Sequence, residues 1–249
     1  MRILGSLCFV LVVAACGPGD APPPDGRDGD ASVGDPTPDL NTEAPENDLP
    51  TVVFFGTSLT AGLGLPSEDD TYAAHAAELA QAAGLPFRLV NAGVSGETSA
   101  AGVRRIEWVL QSPLDVLVLE LGANDGLRGL DVDELRANLE DVVRRTRALY
   151  PDARIVLLGM EAPPNLGERY TGAFAEVFTR VAEERDTHFV PFLLEGVAGV
   201  PELNQSDGIH PTPEGHRRMA RNIMPALTSA LEAVYAERAD SVASPNGGR

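Results

Sequence analysis

The sequence predicts an α/β protein, a three-layer sandwich around a central five-stranded parallel sheet. Three observations predict it. Five short apolar runs, rich in β-branched and aromatic residues and bounded by turn residues, recur from Thr51 onward. Amphipathic stretches of helical period separate them. Strand and helix thus alternate five times, the pattern of successive βαβ units.

In chain order, the first strand is expected at Thr51–Phe55, followed by a helix over 70–84. The second strand is Phe87–Val90, with a helix over 97–111 after it. Asp115–Leu121 is the third, and the helix over 131–150 aligns Leu135, Leu139, Val142, Val143 and Leu149 on one face. Arg154–Met160 and His188–Phe192 are the fourth and fifth, followed by helices over 171–185 and 212–234. Trp108, beside Val103 and Ile106, is expected in the core. No repeat and no second core is visible, so residues 51–234 read as one domain.

The flanks differ in kind. Met1-Arg2, the apolar run Ile3–Ala15 and then Cys16 read as a signal peptide over residues 1–15. Thirteen apolar residues are too short for a stable transmembrane helix. Val13-Ala14-Ala15-Cys16 resembles the bacterial lipoprotein cleavage box, with Cys16 as the lipidated residue. Residues 17–50 hold nine acids, one arginine and almost nothing apolar, which is a disordered, extended linker. Residues 235–249 turn polar and are expected to fray. The expected setting is therefore the bacterial cell envelope, with the domain tethered to a membrane through its N-terminal lipid.

Composition narrows the chemistry. All nineteen bases among the 249 residues are arginine, so Schiff-base chemistry, a Ser–Lys dyad and a phosphate-loop lysine are excluded. The net charge of −18 argues against nucleic acid as a partner. The only cysteines are Cys8, inside the expected signal, and Cys16. Removal of the signal leaves the domain no thiol for a disulfide, a nucleophile or a cysteine–zinc site.

Ligands of open parallel sheets bind beyond the C-terminal strand ends. There the chain has Gly56-Thr57-Ser58-Leu59-Thr60, Asn91-Ala92-Gly93-Val94-Ser95-Gly96-Glu97-Thr98, Gly122-Ala123-Asn124-Asp125-Gly126 and Asp207-Gly208-Ile209-His210-Pro211-Thr212. These segments bring a hydroxyl, a glycine amide, a carboxamide, and a carboxylate beside an imidazole. A serine hydrolase needs that set: a base to take the serine proton, a carboxylate to orient the base, and donors where negative charge develops.

In this order the four segments resemble the SGNH or GDSL hydrolase superfamily, over nearly all of residues 51–225. Leu121–Gly129, Ser95–Ser99 and Asn165–Tyr170 are most similar to its bacterial thioesterase I, lysophospholipase and arylesterase group. The resemblance implies a flavodoxin-like sandwich and a serine esterase of acyl or aryl esters, thioesters or lysophospholipids. Ser58 would be the nucleophile at a helix N-terminus, His210 the general base and Asp207 its partner. The amides of Ser58 and Gly96 and the carboxamide of Asn124 would form the oxyanion hole. No metal or organic cofactor is implied, and the expected partner is a small ester or lipid substrate met by a monomer. Polysaccharide deacetylation and non-catalytic ligand binding on the same fold are the rival readings.

Thr57 departs from the pattern, standing where the family has aspartate; altered local hydrogen bonding is expected there, not loss of activity. Asp125 and Arg128 read as a scaffold pair. His216 reads as a helix-surface residue, and His75 and His188 as structural. The segment Glu161–Tyr170 would border the acyl pocket.

Overall fold

The computed structural model describes residues 48–243; the expected signal peptide, Cys16, most of the linker and residues 244–249 lie outside the described residues. Five strands form one sheet: β1 (Thr51–Gly56), β2 (Arg88–Gly93), β3 (Val116–Glu120), β4 (Arg154–Leu158) and β5 (His188–Val190). Their order is β2-β1-β3-β4-β5 and every pairing is parallel. The three inner strands are nearly continuous apolar runs, as a sheet covered on both faces requires. The edges, β2 and β5, are more exposed.

Among the described residues seven α-helices accompany the sheet: α1 (Ser58–Ala61), α2 (Tyr72–Ala82), α3 (Ser99–Val109), α4 (Ala123–Arg128), α5 (Val132–Leu149), α6 (Glu168–Glu184) and α7 (Pro213–Ala243). α2 packs with α7, and α3 with α5, which also meets α6. These two groups are the outer layers. Asp131 starts α5 by accepting the N–H groups of Asp133 and Glu134. The helix then buries Leu135, Leu139, Val142 and Val143 as expected, but Leu149 is exposed.

Strand positions match the sequence reading to within a residue except at three ends, one of them β4, which stops at Leu158 and not at Met160. β2 runs on to Gly93, because Asn91, Ala92 and Gly93 keep register with Phe54, Phe55 and Gly56. β5 stops at Val190, before Pro191, which has no N–H to donate to a ladder.

The expected tail is a correction. From Tyr235 the chain continues α7 to Ala243. The Tyr235 hydroxyl donates to the Pro86 carbonyl at 2.5 Å, and Arg238 donates to Asp115 at 2.8 Å. Arg154 pairs with Glu237. Polar residues there dock on the sheet's lower rim through their polar ends, so low hydrophobicity did not mean fraying. Trp108 is a second correction: it is 68% exposed, while Ile106 fills the interior. α3 faces its core through Gly102 and Ile106, and position 108 falls off that face.

The chain leaves β1 toward β2 on one side, and β3 lies on the other. The fold therefore opens a crevice beyond the C-terminal end of β1.

Candidate active site

Each of the four strand-end segments reaches that crevice. Ser58 follows β1 directly and opens α1, which is one turn long and ends at Gly62. The expected helix N-terminus is real, but four residues carry little macrodipole. The Ser58 hydroxyl lies 2.9 Å from His210 Nε2. His210 Nδ1 lies 2.6 Å from Asp207 Oδ2. A carboxylate only accepts, so Nδ1 carries the proton and Nε2 is left to accept from Ser58.

The Asp207–His210 loop is held by the same carboxylate. Asp207 Oδ1 accepts the N–H groups of Ile209 at 2.9 Å and His210 at 3.0 Å, so the aspartate closes its own turn while orienting the imidazole. The His210 hydrogen bond first, and these backbone bonds next, hold the Asp207 carboxyl well below the usual carboxylate range.

Opposite Ser58 lie Gly96 and Asn124. Among the described residues, no hydrogen bond uses the N–H of Ser58 or of Gly96. Gly96 has φ +77°, a conformation open to glycine, and a Cβ there would meet nothing within 4 Å. The left-handed conformation by itself calls for glycine there. Asn124 Nδ2 donates one hydrogen to the Glu97 carbonyl at 3.0 Å, leaving its other N–H to the crevice. Ser58, Gly96, Asn124 and His210 line one cleft of about 570 Å³, whose walls are largely apolar and include Leu63, Leu127, Met160, Phe192 and Ile209.

The surrounding loops are fastened by polar contacts. Arg128 donates to the Gly96 carbonyl at 3.1 Å and Glu97 pairs with Arg105 at 2.5 Å. Asp125 does not pair with Arg128; it accepts the Ser99 N–H at 2.9 Å and the Ser99 hydroxyl at 2.6 Å. The two residues are scaffold by separate routes. Of the segment Glu161–Tyr170, only Glu161–Pro164 lines the cleft. Tyr170 instead donates to the Leu130 carbonyl at 2.7 Å.

Two buried groups were missed or misread from sequence. His216 is 1% exposed, not on the surface: its Nδ1 accepts the Tyr72 N–H at 3.1 Å and its ring stacks on Tyr72. Burial pushes its imidazole down to about 4, so it is neutral. Glu120, the last residue of β3, is 0% exposed and went unremarked. The signal was an acid closing the apolar run Val116–Leu119. It accepts from Thr57 and Thr60, which ties the residue at position 57 to a buried acid.

Burial pushes the Glu120 carboxyl up to about 7, against the pull of its hydrogen bonds from Thr57 and Thr60. The linkage follows in sign. Between its ordinary value of 4.5 and about 7 the folded chain keeps a proton that the unfolded chain gives up, so stability falls as pH rises. His216 has the opposite slope from about 4 to 6.5, since the folded chain keeps it neutral. The two effects oppose each other in wild type, and Glu120→Gln separates them. Wild type minus Glu120→Gln is expected to lose about 3 kcal/mol of unfolding free energy across the Glu120 window. Denaturant titrations along a pH series would measure this, and a flat difference would refute it.

A parallel α/β sandwich with a serine, an imidazole and a carboxylate in line at its switch point has the arrangement of a serine hydrolase. The chain belongs to the GDSL-like lipase/acylhydrolase family, whose model matches residues 54–218. It is accordingly an enzyme of the carboxylic ester hydrolase type. The chain is 41% identical over 182 residues to the esterase TesA of Pseudomonas aeruginosa, covering 73% of this chain and 89% of that one. It is 32% identical to the arylesterase of Vibrio mimicus, covering 72% and 89%. Among solved structures, a crystal structure of TesA superposes with a TM-score of 0.69 at 39% identity, covering 72% of this chain and 99% of that one. The psychrotrophic esterase EstA from Pseudoalteromonas sp., in a structure inhibited by monoethylphosphonate, gives 0.67 at 31% identity, covering 73% and 98%.

Proposed function

We propose that the chain is a serine esterase that hydrolyses carboxylic esters or thioesters by acyl transfer. The observation that carries this is the unbroken line Asp207–His210–Ser58, with spacings of 2.6 and 2.9 Å, opening onto an apolar cleft. Ser58 Oγ attacks the carbonyl carbon as its proton passes to His210 Nε2, and Asp207 stabilises the imidazolium. The unengaged N–H groups of Ser58, Gly96 and Asn124 receive the tetrahedral oxyanion. His210 gives its proton to the leaving oxygen or sulfur, then activates a water that releases the acid and restores Ser58.

The walls favour an acyl chain over acetate. Each buried methylene contributes about 0.8 kcal/mol, so kcat/KM is expected to rise about fourfold per carbon until the cleft is filled. Medium-chain, aryl and lysophospholipid esters all present such apolar groups. The test is a p-nitrophenyl ester series from two to sixteen carbons, with fluorophosphonate labelling of wild type and Ser58→Ala. A maximum beyond two carbons is expected, with labelling lost in the variant. A peak at two carbons alone would favour polysaccharide deacetylation. No turnover and no labelling would leave ligand binding.

A further inference from the structure

The Ser58 loop is wrapped around a charged group that the acyl-transfer steps do not use. Glu120 closes β3 directly opposite Gly56 of β1. Its Oε2 accepts the Thr57 N–H at 2.7 Å, the Thr60 hydroxyl at 2.8 Å and the Thr57 hydroxyl at 3.0 Å. Oε1 accepts from the Thr57 hydroxyl at 3.0 Å. The Tyr72 hydroxyl lies 2.8 Å from Thr60 Oγ1 and completes the set. Thr57 precedes Ser58 and Thr60 follows it by two, so the carboxyl grips the nucleophile's turn from both sides.

The chain is shaped for this group. A Cβ on Gly56 would come within 2.5 Å of Glu120 Oε2 and 2.2 Å of Thr60 Oγ1, so glycine leaves the room the carboxyl occupies. Thr57 stands at the N-cap of α1 yet its side chain makes no cap bond, because its hydroxyl is committed to Glu120. A carboxylate buried without a cation is costly and persists only where its hydrogen bonds are satisfied. Among the described residues Glu120 has no salt-bridge partner, and its hydrogen bonds come from Thr57 and Thr60. Here every donor points the same way: Tyr72 to Thr60, Thr60 to Glu120, and both Thr57 donors to Glu120.

We propose that Glu120 is a positioning residue, whose ionised carboxyl fixes the Thr57–Thr60 turn so that the Ser58 hydroxyl meets His210 and the Ser58 amide meets the substrate oxygen. The proposal rests on Ser58 being the nucleophile. A protonated Glu120 must itself donate, and donation from Oε1 turns the Thr57 hydroxyl away from the carboxyl. The ionised form is therefore the one in which both threonines grip the carboxyl. Burial and then the charge of Glu120 keep the Tyr72 phenol neutral, and the two threonines do not titrate, so Glu120 is the group that changes charge in this pocket.

The test compares wild type, Glu120→Gln, Thr57→Val and Ser58→Ala by ester kinetics, fluorophosphonate labelling rate and thermal melting. Glu120→Gln keeps shape but puts an NH₂ against donors. It is expected to lower kcat and labelling about 10- to 100-fold with KM changed less than about threefold, since small displacements of a nucleophile have effects of that order. Thr57→Val removes one hydroxyl and is expected to cost about 3- to 10-fold, which decides the matter if Glu120→Gln does not fold. Below about pH 7 wild-type log kcat/KM is expected to fall more steeply than that of Glu120→Gln, the difference approaching one proton. Losses that merely track the folded fraction, or folded variants with kcat and labelling within about twofold of wild type, would overturn the proposal. Inactive Ser58→Ala beside a fully active Glu120→Gln would remove only the role of Glu120. Active Ser58→Ala would remove the nucleophile itself.

Discussion

Ser58→Ala and His210→Ala are each expected to lower ester turnover by about 10⁵- to 10⁶-fold, and the double variant by no more than either alone. The reason is mechanical. A serine hydroxyl is a weak nucleophile until its proton has somewhere to go, and the imidazole nitrogen at 2.9 Å is the acceptor. Remove either partner and the other has nothing to act on, so the two losses do not add. The residue of activity would come from the cleft and the oxyanion donors. Neither change is expected to unfold the chain: Ser58 offers its hydroxyl only to His210, and the turn holding His210 is closed by Asp207 through backbone N–H groups. Asp207→Asn is a less clean probe, because it disturbs the imidazole and the turn together. Initial rates on a p-nitrophenyl ester, with melting temperatures beside them, decide the point. A His210→Ala protein retaining more than about a hundredth of wild-type turnover would show that another base serves Ser58.

How much of this could be read beforehand depended on whether a residue's role was local. Strand positions came from apolar runs, and sites came from the rule that ligands bind at strand ends; both signals lie within a few adjacent residues. Ser58, Asp207 and His210 were singled out by the resemblance of four local segments to a known superfamily, and the fold brings them together although 152 residues separate Ser58 from His210. What failed was long-range. The helical face of α7 does not reveal that His216 packs against Tyr72, 144 residues away. Nor does an acid at the end of an apolar run reveal that Thr57, 63 residues earlier, satisfies it. Trp108 failed differently: its place beside Val103 and Ile106 argued for burial, but it falls off the face that α3 turns to the core. The tail misled because polar composition was taken for lack of contacts, whereas Tyr235 and Arg238 dock by their polar tips.

Asn124→Ala is expected to lower kcat about 10²- to 10³-fold with little change in KM, because an oxyanion donor acts where charge develops and not on the resting carbonyl. The carboxamide has a second duty that complicates the reading: one of its hydrogens holds the Glu97 carbonyl, and the Glu97 segment carries Gly96. Truncation could therefore loosen the Gly96 amide as well as delete the carboxamide. Two contacts limit that loosening, the Arg105–Glu97 ion pair and the Arg128 bond to the Gly96 carbonyl, and neither depends on Asn124. Arg128→Ala supplies the control. It removes a support of the Gly96 turn while leaving the carboxamide in place, and so reports the cost of loosening alone. If Asn124 acts chiefly as an electrostatic donor, Arg128→Ala should cost less than about tenfold, well below the loss in Asn124→Ala. Equal losses in the two proteins would instead mean that Asn124 serves the site by bracing its neighbour. Asn124→Asp sharpens the distinction, since it keeps the side chain's shape but brings negative charge beside the developing oxyanion. The donor role predicts that it is at least as damaging as alanine.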